Sequence, residues 1–326
     1  MGSCDHCPAL GQTRVVKLAL IINPTASSVS RRSRVVVEKL LGTDHELTVH
    51  ETSRQRHATR LAHRASREGC DVVLTLGGDG TVNEAANGLL DAPHCALAPL
   101  PGGSTNVFAR ALGFPNSAVE ATRSVLEALA AGSTRLAGVG MAEDRAFLFH
   151  VGIGFDAAVV DRVEERSAFK RYAGHPWFIA AALRTWASSD RSSLRFDIRT
   201  DDGRVLRGAQ MAVALNVNPY TFLGNRPLDL APEATLTSPL SIVALTSLSG
   251  RRLLPAARSA IANDPAGIPN RGATRHWPLV HGAELRSDHP FPYQLDGEPQ
   301  TPVSHLRVEH RPDALRVVVP RDSLSA

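Results

Sequence analysis

Asp71 to Leu90 reads DVVLTLGGDGTVNEAANGLL, and no other stretch limits the fold as tightly. A short apolar run with the character of a buried strand ends at Gly77 and Gly78, and from Thr81 onward the pattern is helical. A strand that feeds straight into a helix belongs in a parallel sheet whose faces are covered by helices. The rest of the first half agrees. VVKLALIIN (Val15–Asn23), HELTVHET, and CALAPLPGG (Cys95–Gly103) read as strands, while RRSRVVVEKLLG (Arg31–Gly42), QRHATRLAHRASREG, NVFARALG and SAVEATRSVLEALAAG read as helices between or after them. After Gly132 the texture changes to strands with little helix: TRLAGVGMA, RAFLFHVGIG, SLRFDIRTDD, VLRGAQMAVALNVN and LSIVALTSL. That pattern implies a mainly antiparallel second unit, interrupted by one helical stretch around Ala157–Ser188. ALRVVVP near the end is one more strand.

Ligands of open parallel sheets gather where strands end and helices begin. NPTASS (Asn23–Ser28) is a turn whose free N–H groups can face an anion, with Arg31, Arg32 and Arg34 close behind; a plain turn is the alternative. In the second loop, Gly77, Gly78 and Gly80 allow close approach of backbone to a ligand, and Thr81 with Glu84 has the spacing of a capping box. The third loop, PLPGGSTNVFARALG (Pro99–Gly113), again sets glycines before Ser104, Thr105 and Asn106, any of which can cap a helix or contact phosphate or ribose. Helix N-termini suit phosphate, yet Asp79 carries a negative charge at the centre of the second loop. A cation between the carboxylate and the phosphates removes that conflict.

Rival nucleotide motifs fail. There is no GxxxxGK[ST], so this is not a Walker-type loop, and GIGFDA (Gly152–Ala157) lacks the following strand and acid of a dinucleotide site. A chain of 326 residues is long for one core and comfortable for two. Its net charge of +4 suits anionic partners, whereas an aromatic content of only 5% argues against a base-stacking surface for nucleic acid. Four cysteines make no disulfide framework and fit a reducing cytoplasm; Cys4 and Cys7 form a CxxC without the second pair that a zinc site needs. The N-terminus lacks the apolar core of a signal peptide, and no run approaches the roughly 18 apolar residues of a membrane span. Pro176–Phe178 and Trp186, with Lys170 and Arg171 upstream, set apolar rings beside basic residues, a pattern that suits either a bilayer surface or packing within the protein.

Taken together, NPTASS, LGGDGTVNEAANGLL, PGGSTNVFARALGFP, GIGFDAAVV, NPYTFLGNRPLDLAPEA and QLDGE resemble the diacylglycerol kinase catalytic-domain family, the soluble bacterial lipid kinases related to sphingosine kinases. The resemblance runs over nearly the whole chain. It implies an α/β nucleotide domain of the NAD-kinase and phosphofructokinase type (residues 1–134, completed by 308–326) and a β-sandwich lipid-substrate domain (residues 135–307), with the active site in the cleft. ATP, Mg²⁺ and a lipid with a free hydroxyl are the implied ligands, with diacylglycerol the leading acceptor and sphingoid bases or phosphatidylglycerol the alternatives. An inactive regulator is the reading from another class. The implied nucleotide contacts are Asn23, Pro24, Thr52, Gly77, Gly78, Asp79, Gly80, Thr81, Glu84, Gly103, Ser104, Thr105 and Asn106, with Asp79 facing the metal.

The family's general base maps to Glu298, with Asp296 beside it, although read alone DGEP is a hairpin turn. Asp156 matches a family aspartate that orients groups in the cleft, with helix capping as the alternative. Two departures stand out: Val107 replaces an aspartate common in the family, and Ser238–Ser241 (SPLS) replaces a structural-metal motif. A cytoplasmic protein with peripheral contact at the inner membrane surface is expected, and the sequence leaves a homodimer open.

Overall fold

The computed structural model describes residues 15–164, 195–249 and 270–321, together with 258, 259, 262 and 268. Cys4, Cys7, the 176–178 segment, Trp186, Lys170, Arg171 and the end of the Ala157–Ser188 stretch lie outside the described residues.

The first part alternates as its apolar runs require: β1 (Lys17–Ile22), α1 (Arg31–Asp44), β2 (Glu46–Glu51), α2 (His57–Arg67), β3 (Val72–Gly77), α3 (Asp79–Leu89), β4 (Ala96–Pro101), α4 (Val107–Ala111) and α5 (Ala118–Ala130). These four strands are parallel, in the order β4-β3-β1-β2. Strands β3 and β4 are buried at every residue, which explains why they read as unbroken apolar runs rather than as alternating ones. Strand order reverses around β1, so the loops after β1, β3 and β4 open on one edge of the sheet, at its topological switch point.

The second part comprises β5 (Thr134–Ala142), β6 (Arg145–Phe147), β7 (His150–Gly154), α6 (Phe155–Glu164), β8 (Phe196–Thr200), β9 (Val205–Ala209), β10 (Met211–Leu215), β11 (Thr221–Leu223), β12 (Arg226–Leu228), β13 (Leu240–Leu245), β14 (Thr274–Val280), β15 (Gly282–Leu295) and β16 (Glu298–Val318). Their pairings are antiparallel, so GIGFDA sits between an antiparallel strand and α6 and not in a βαβ unit. Strand β15 changes partner at its bulge, pairing with β8 through Ala283–Arg286 and with β7 through Tyr293–Leu295. That switch brings two layers onto one core containing Val151, Phe196, Ile198, Trp277, Phe291 and Leu306.

Strand β16 joins the two parts. Its first half pairs with β15, its second half with β5, and Val317 sits beside Leu97 of β4 in parallel register. The first core correspondingly takes in Leu315, Val317 and Val318, and extends through Ala137 and Val139 to Leu148 and Phe149. One strand therefore reaches from the core of the parallel sheet to Glu298.

Candidate active site

The three loops singled out above, the segment after β2 and Glu298 enclose a cleft of about 660 Å³. Its walls are Asn23–Ser27, Thr52–Gln55, Gly78–Thr81, Glu84, Gly103–Thr105 and Glu298. Among the residues expected to bind nucleotide, Asn23, Pro24, Thr52, Gly78, Asp79, Gly80, Thr81, Glu84, Gly103, Ser104 and Thr105 all come together here. Gly77 and Asn106 do not line it.

Glycine is required where the loops touch. A Cβ on Gly103 would lie 2.7 Å from the Cα of Gly78, and one on Gly102 would lie 2.8 Å from the Gly77 nitrogen. The Gly102 N–H donates to the Gly77 carbonyl at 2.8 Å, and the Ser28 N–H donates to the Gly102 carbonyl at 2.9 Å. The three loops are thus stitched backbone to backbone. Asn23 shapes the first of them: its Oδ1 accepts from the N–H and hydroxyl of Thr25 at 3.0 and 2.8 Å, while its Nδ2 donates to Thr81 Oγ1 at 3.3 Å.

The geometry corrects one expectation and shows what three further residues do. Thr81 and Glu84 form no capping box; Gly78 is the N-cap of α3, without a side-chain cap. Glu84 instead accepts from the backbone N–H groups of Arg56 and Ala58 at 2.7 and 3.0 Å, so it caps α2 from across the fold. Those donors are orphans at the start of α2, whose own N-cap, Arg56, supplies no side-chain acceptor. Asn106 is buried in the left-handed region and holds its own loop together, accepting from Gly103 N–H and donating to the Gly103 carbonyl and to Asn116. Its side chain is therefore taken up within its own loop, and Gly77 ends β3 just short of the cleft lining.

Asp296 also stays outside the cleft lining. It is 5% exposed and its carboxylate accepts from the N–H groups of Leu148, Phe149 and His150 and from Asn83 Nδ2, at 2.7 to 3.1 Å. Burial pushes its carboxyl up to about 6 against the pull of those donors. The alternatives for DGEP prove compatible. Asp296 and Gly297 both have positive φ, as a two-residue hairpin turn demands, and the turn delivers Glu298 to the cleft.

Asp79 is partly buried at the cleft and accepts from the N–H groups of Val107 and Phe108 at 3.0 and 3.1 Å. Burial raises its carboxyl above the usual range, opposed by those backbone donors. As the first residue of α3, just beyond β3, it caps the start of α4. Glu298 leans on the same loop: a Cβ on Gly80 would lie 2.5 Å from its Oε1. Its other oxygen accepts from Arg145 at 2.6 Å.

The sequence reading missed Arg145, which opens the strand-like run RAFLFHVGIG and carries no motif. It also missed Asn83, which donates to Asp296 at 2.8 Å and to the Ala146 carbonyl at 2.9 Å. The available signal was the spacing of Asn83 and Asn87, one helical turn apart in an otherwise small and apolar helix. Asp156 is buried and accepts from Tyr220 and Gln294 at 2.6 and 2.9 Å, and it does not line the cleft.

The cleft offers carboxylate, hydroxyl and amide oxygens and no thiolate or imidazole, a set suited to a hard cation shared with phosphates. Among the described residues no three His, Cys, Asp or Glu side chains cluster to hold a metal by themselves. That chemistry would fit Mg²⁺ only with further oxygen ligands from outside the protein, and Asp79, Glu84 and Glu298 are the carboxylates lining the cleft. No helix of the described residues is long and apolar enough to cross a membrane.

Residues 17–142 match the family model of the diacylglycerol kinase catalytic domain. The "Probable lipid kinase YegS-like" protein of Chromohalobacter salexigens is 28% identical over 93% of this chain and 93% of its own length. A "Diacylglycerol kinase" of Staphylococcus aureus is 33% identical over 40% of this chain and 41% of its own. A solved diacylglycerol kinase structure from Bacillus anthracis superposes with a TM-score of 0.68 at 19% identity, covering 96% of this chain and all of that one (100%), which is a likeness of fold.

Proposed function

We propose that this chain, whose residues 17–142 match the diacylglycerol kinase catalytic-domain model and which resembles probable lipid kinases along most of its length, is a lipid kinase that transfers the γ-phosphoryl group of ATP to the hydroxyl of diacylglycerol or a similar lipid. The observation that carries the proposal is the meeting of Glu298 with Gly80 at the mouth of the three-loop cleft. It brings one carboxylate from the antiparallel part to the loops of the parallel part.

Phosphoryl transfer of this kind is mostly positioning and charge stabilisation. The loops at Asn23–Ser27, Gly78–Thr81 and Gly103–Thr105 present backbone and hydroxyl groups to the phosphates. The lipid oxygen forms its bond to the γ-phosphorus as the bond to the ADP oxygen breaks, and Glu298 takes the proton that the hydroxyl gives up. Mg²⁺, when bound with ATP, supplies neutralisation of the phosphoryl oxygens, and Asp79 would hold it directly or through water. Working on a lipid requires contact with a bilayer. Cytoplasmic location and peripheral binding at the inner membrane face are part of the same proposal.

The test is a panel of lipids with Mg²⁺ and ATP, comparing the wild type with Glu298→Gln. Diacylglycerol should be phosphorylated, and the substitution should lower kcat by roughly 10²- to 10⁴-fold. Full turnover by Glu298→Gln would remove the base assignment. Transfer only to a sphingoid base or to phosphatidylglycerol would correct the acceptor.

A further inference from the structure

We propose that Arg145 is a positioning residue that holds Glu298 at its working place in the cleft; this rests on the reading of Glu298 as the base. Arg145 opens β6, a strand of three residues, and does not itself line the cleft. Its guanidinium donates to Glu298 Oε2 at 2.6 Å, to Gln300 Oε1 at 3.2 Å and to Asn83 Oδ1 at 3.3 Å. Those three partners belong to both sides of the site. Glu298 and Gln300 lie on β16, whereas Asn83 lies on α3, one helical turn beyond Asp79.

The geometry of those contacts is specific. The Glu298 side chain has one oxygen against Gly80 and the other against Arg145, so the carboxylate is confined between the glycine loop and the guanidinium. Gln300 Nε2 in turn donates to the Glu298 carbonyl at 2.9 Å, which ties the backbone of the base to the same cluster. The Arg145 and Glu298 side chains are 19% and 25% exposed, so this pair is shielded enough for its geometry to matter. A flat guanidinium with several fixed donors can serve Asn83, Gln300 and Glu298 together; an ammonium cannot. Without it, the carboxylate loses the donor that holds Oε2 and is free to swing out of reach of the acceptor hydroxyl.

The test uses the full chain with Arg145→Met, Arg145→Lys, Glu298→Gln and the Arg145→Met/Glu298→Gln double variant. Steady-state lipid phosphorylation, ATP binding by titration and thermal midpoints are measured for each. Arg145→Met should lower kcat by about 10- to 100-fold, the scale of a misplaced catalytic group, with KM for ATP within about twofold. Arg145→Lys should recover part of that loss. In the Glu298→Gln background Arg145→Met should have no further effect, because Arg145 acts through Glu298. A kcat for Arg145→Met equal to wild type overturns the proposal, and so does a loss that persists undiminished in the Glu298→Gln background. Full activity of Glu298→Gln would instead overturn the base assignment beneath it, so the two failures are separable.

Discussion

Gly80→Ala separates the chemistry of the cleft from the stability of the fold. Gly80 is the second residue of α3 and is not among the glycines with positive φ, so its backbone accepts alanine. On helix propensity the exchange is neutral to favourable by up to about 1 kcal/mol. The new methyl, however, would stand 2.5 Å from Glu298 Oε1, whereas ordinary contact begins near 3.4 Å. The atom met is the end of a side chain, so the clash is relieved by moving the carboxylate about 1 Å and leaves the backbone where it is. A shift of that size away from a reacting hydroxyl costs on the order of 100-fold in rate. The prediction is therefore a protein with a wild-type thermal midpoint and ATP affinity but a kcat lowered by about two orders of magnitude. Lipid phosphorylation with radiolabelled ATP, run beside nucleotide titration and thermal denaturation, reads all three quantities. An Ala variant with wild-type kcat would mean that the position of Glu298 against Gly80 has no part in turnover.

Gly103→Ala should behave differently, because its Cβ meets the Cα of Gly78 and no side chain can turn away; both the thermal midpoint and ATP binding should fall, and retention of either would contradict the stitched-loop geometry. Glu84→Ala should cost about 1 kcal/mol in denaturant stability through loss of the α2 cap; an unchanged midpoint would return Glu84 to a purely ligand-facing role. His150→Phe should gain about 2 kcal/mol relative to wild type between pH 7.5 and pH 5, since burial holds the His150 imidazole down at about 3 while the unfolded chain protonates near 6.5, so wild-type stability is full above 6.5 and is lost as pH falls. Asp296 accepts the His150 N–H and the Tyr220 ring lies 4.5 Å away, but both are present in both proteins, so equal differences at the two pH values would refute the assignment.

Much of the fold was legible because burial imposes simple patterns. TRLAGVGMA corresponds to β5 at Thr134–Ala142, and the apolar runs of β1, β3 and β4 could be neither surface loops nor amphipathic helices. The length of β16 was hidden. In its middle only Leu306 and Val308 are buried, set among charged residues, and Pro299, Pro302 and Pro312 interrupt the strand pattern. Among site residues, the cleft-lining loops were legible because glycine and small hydroxyl residues recur at successive strand ends. The duties of Glu84, Asn106 and Asp296 were not. A capping-box spacing specifies a local bond, and here donors from α2, distant in sequence from α3, took the carboxylate first. Arg145 left no trace, because its partners on α3 and β16 meet it only in three dimensions.

The Asp-Gly turn shows why a structural reading and a functional one need not compete. Asp296 can bury a carboxylate because four donors surround it, two from the β6–β7 connection, one from the start of β7 and one from Asn83 of α3. The same bonds fasten the hairpin tip to both parts of the protein. Glu298 is the first residue of β16, immediately past that anchor, and the strand's far end is built into the parallel sheet beside β4. Its backbone is therefore fixed from both directions before any ligand arrives. The side chain is then confined between Gly80 and Arg145. A carboxylate held by its own turn, its own strand and two opposing walls loses little further freedom when a reacting hydroxyl is aligned with it, which is what preorganisation for proton transfer requires.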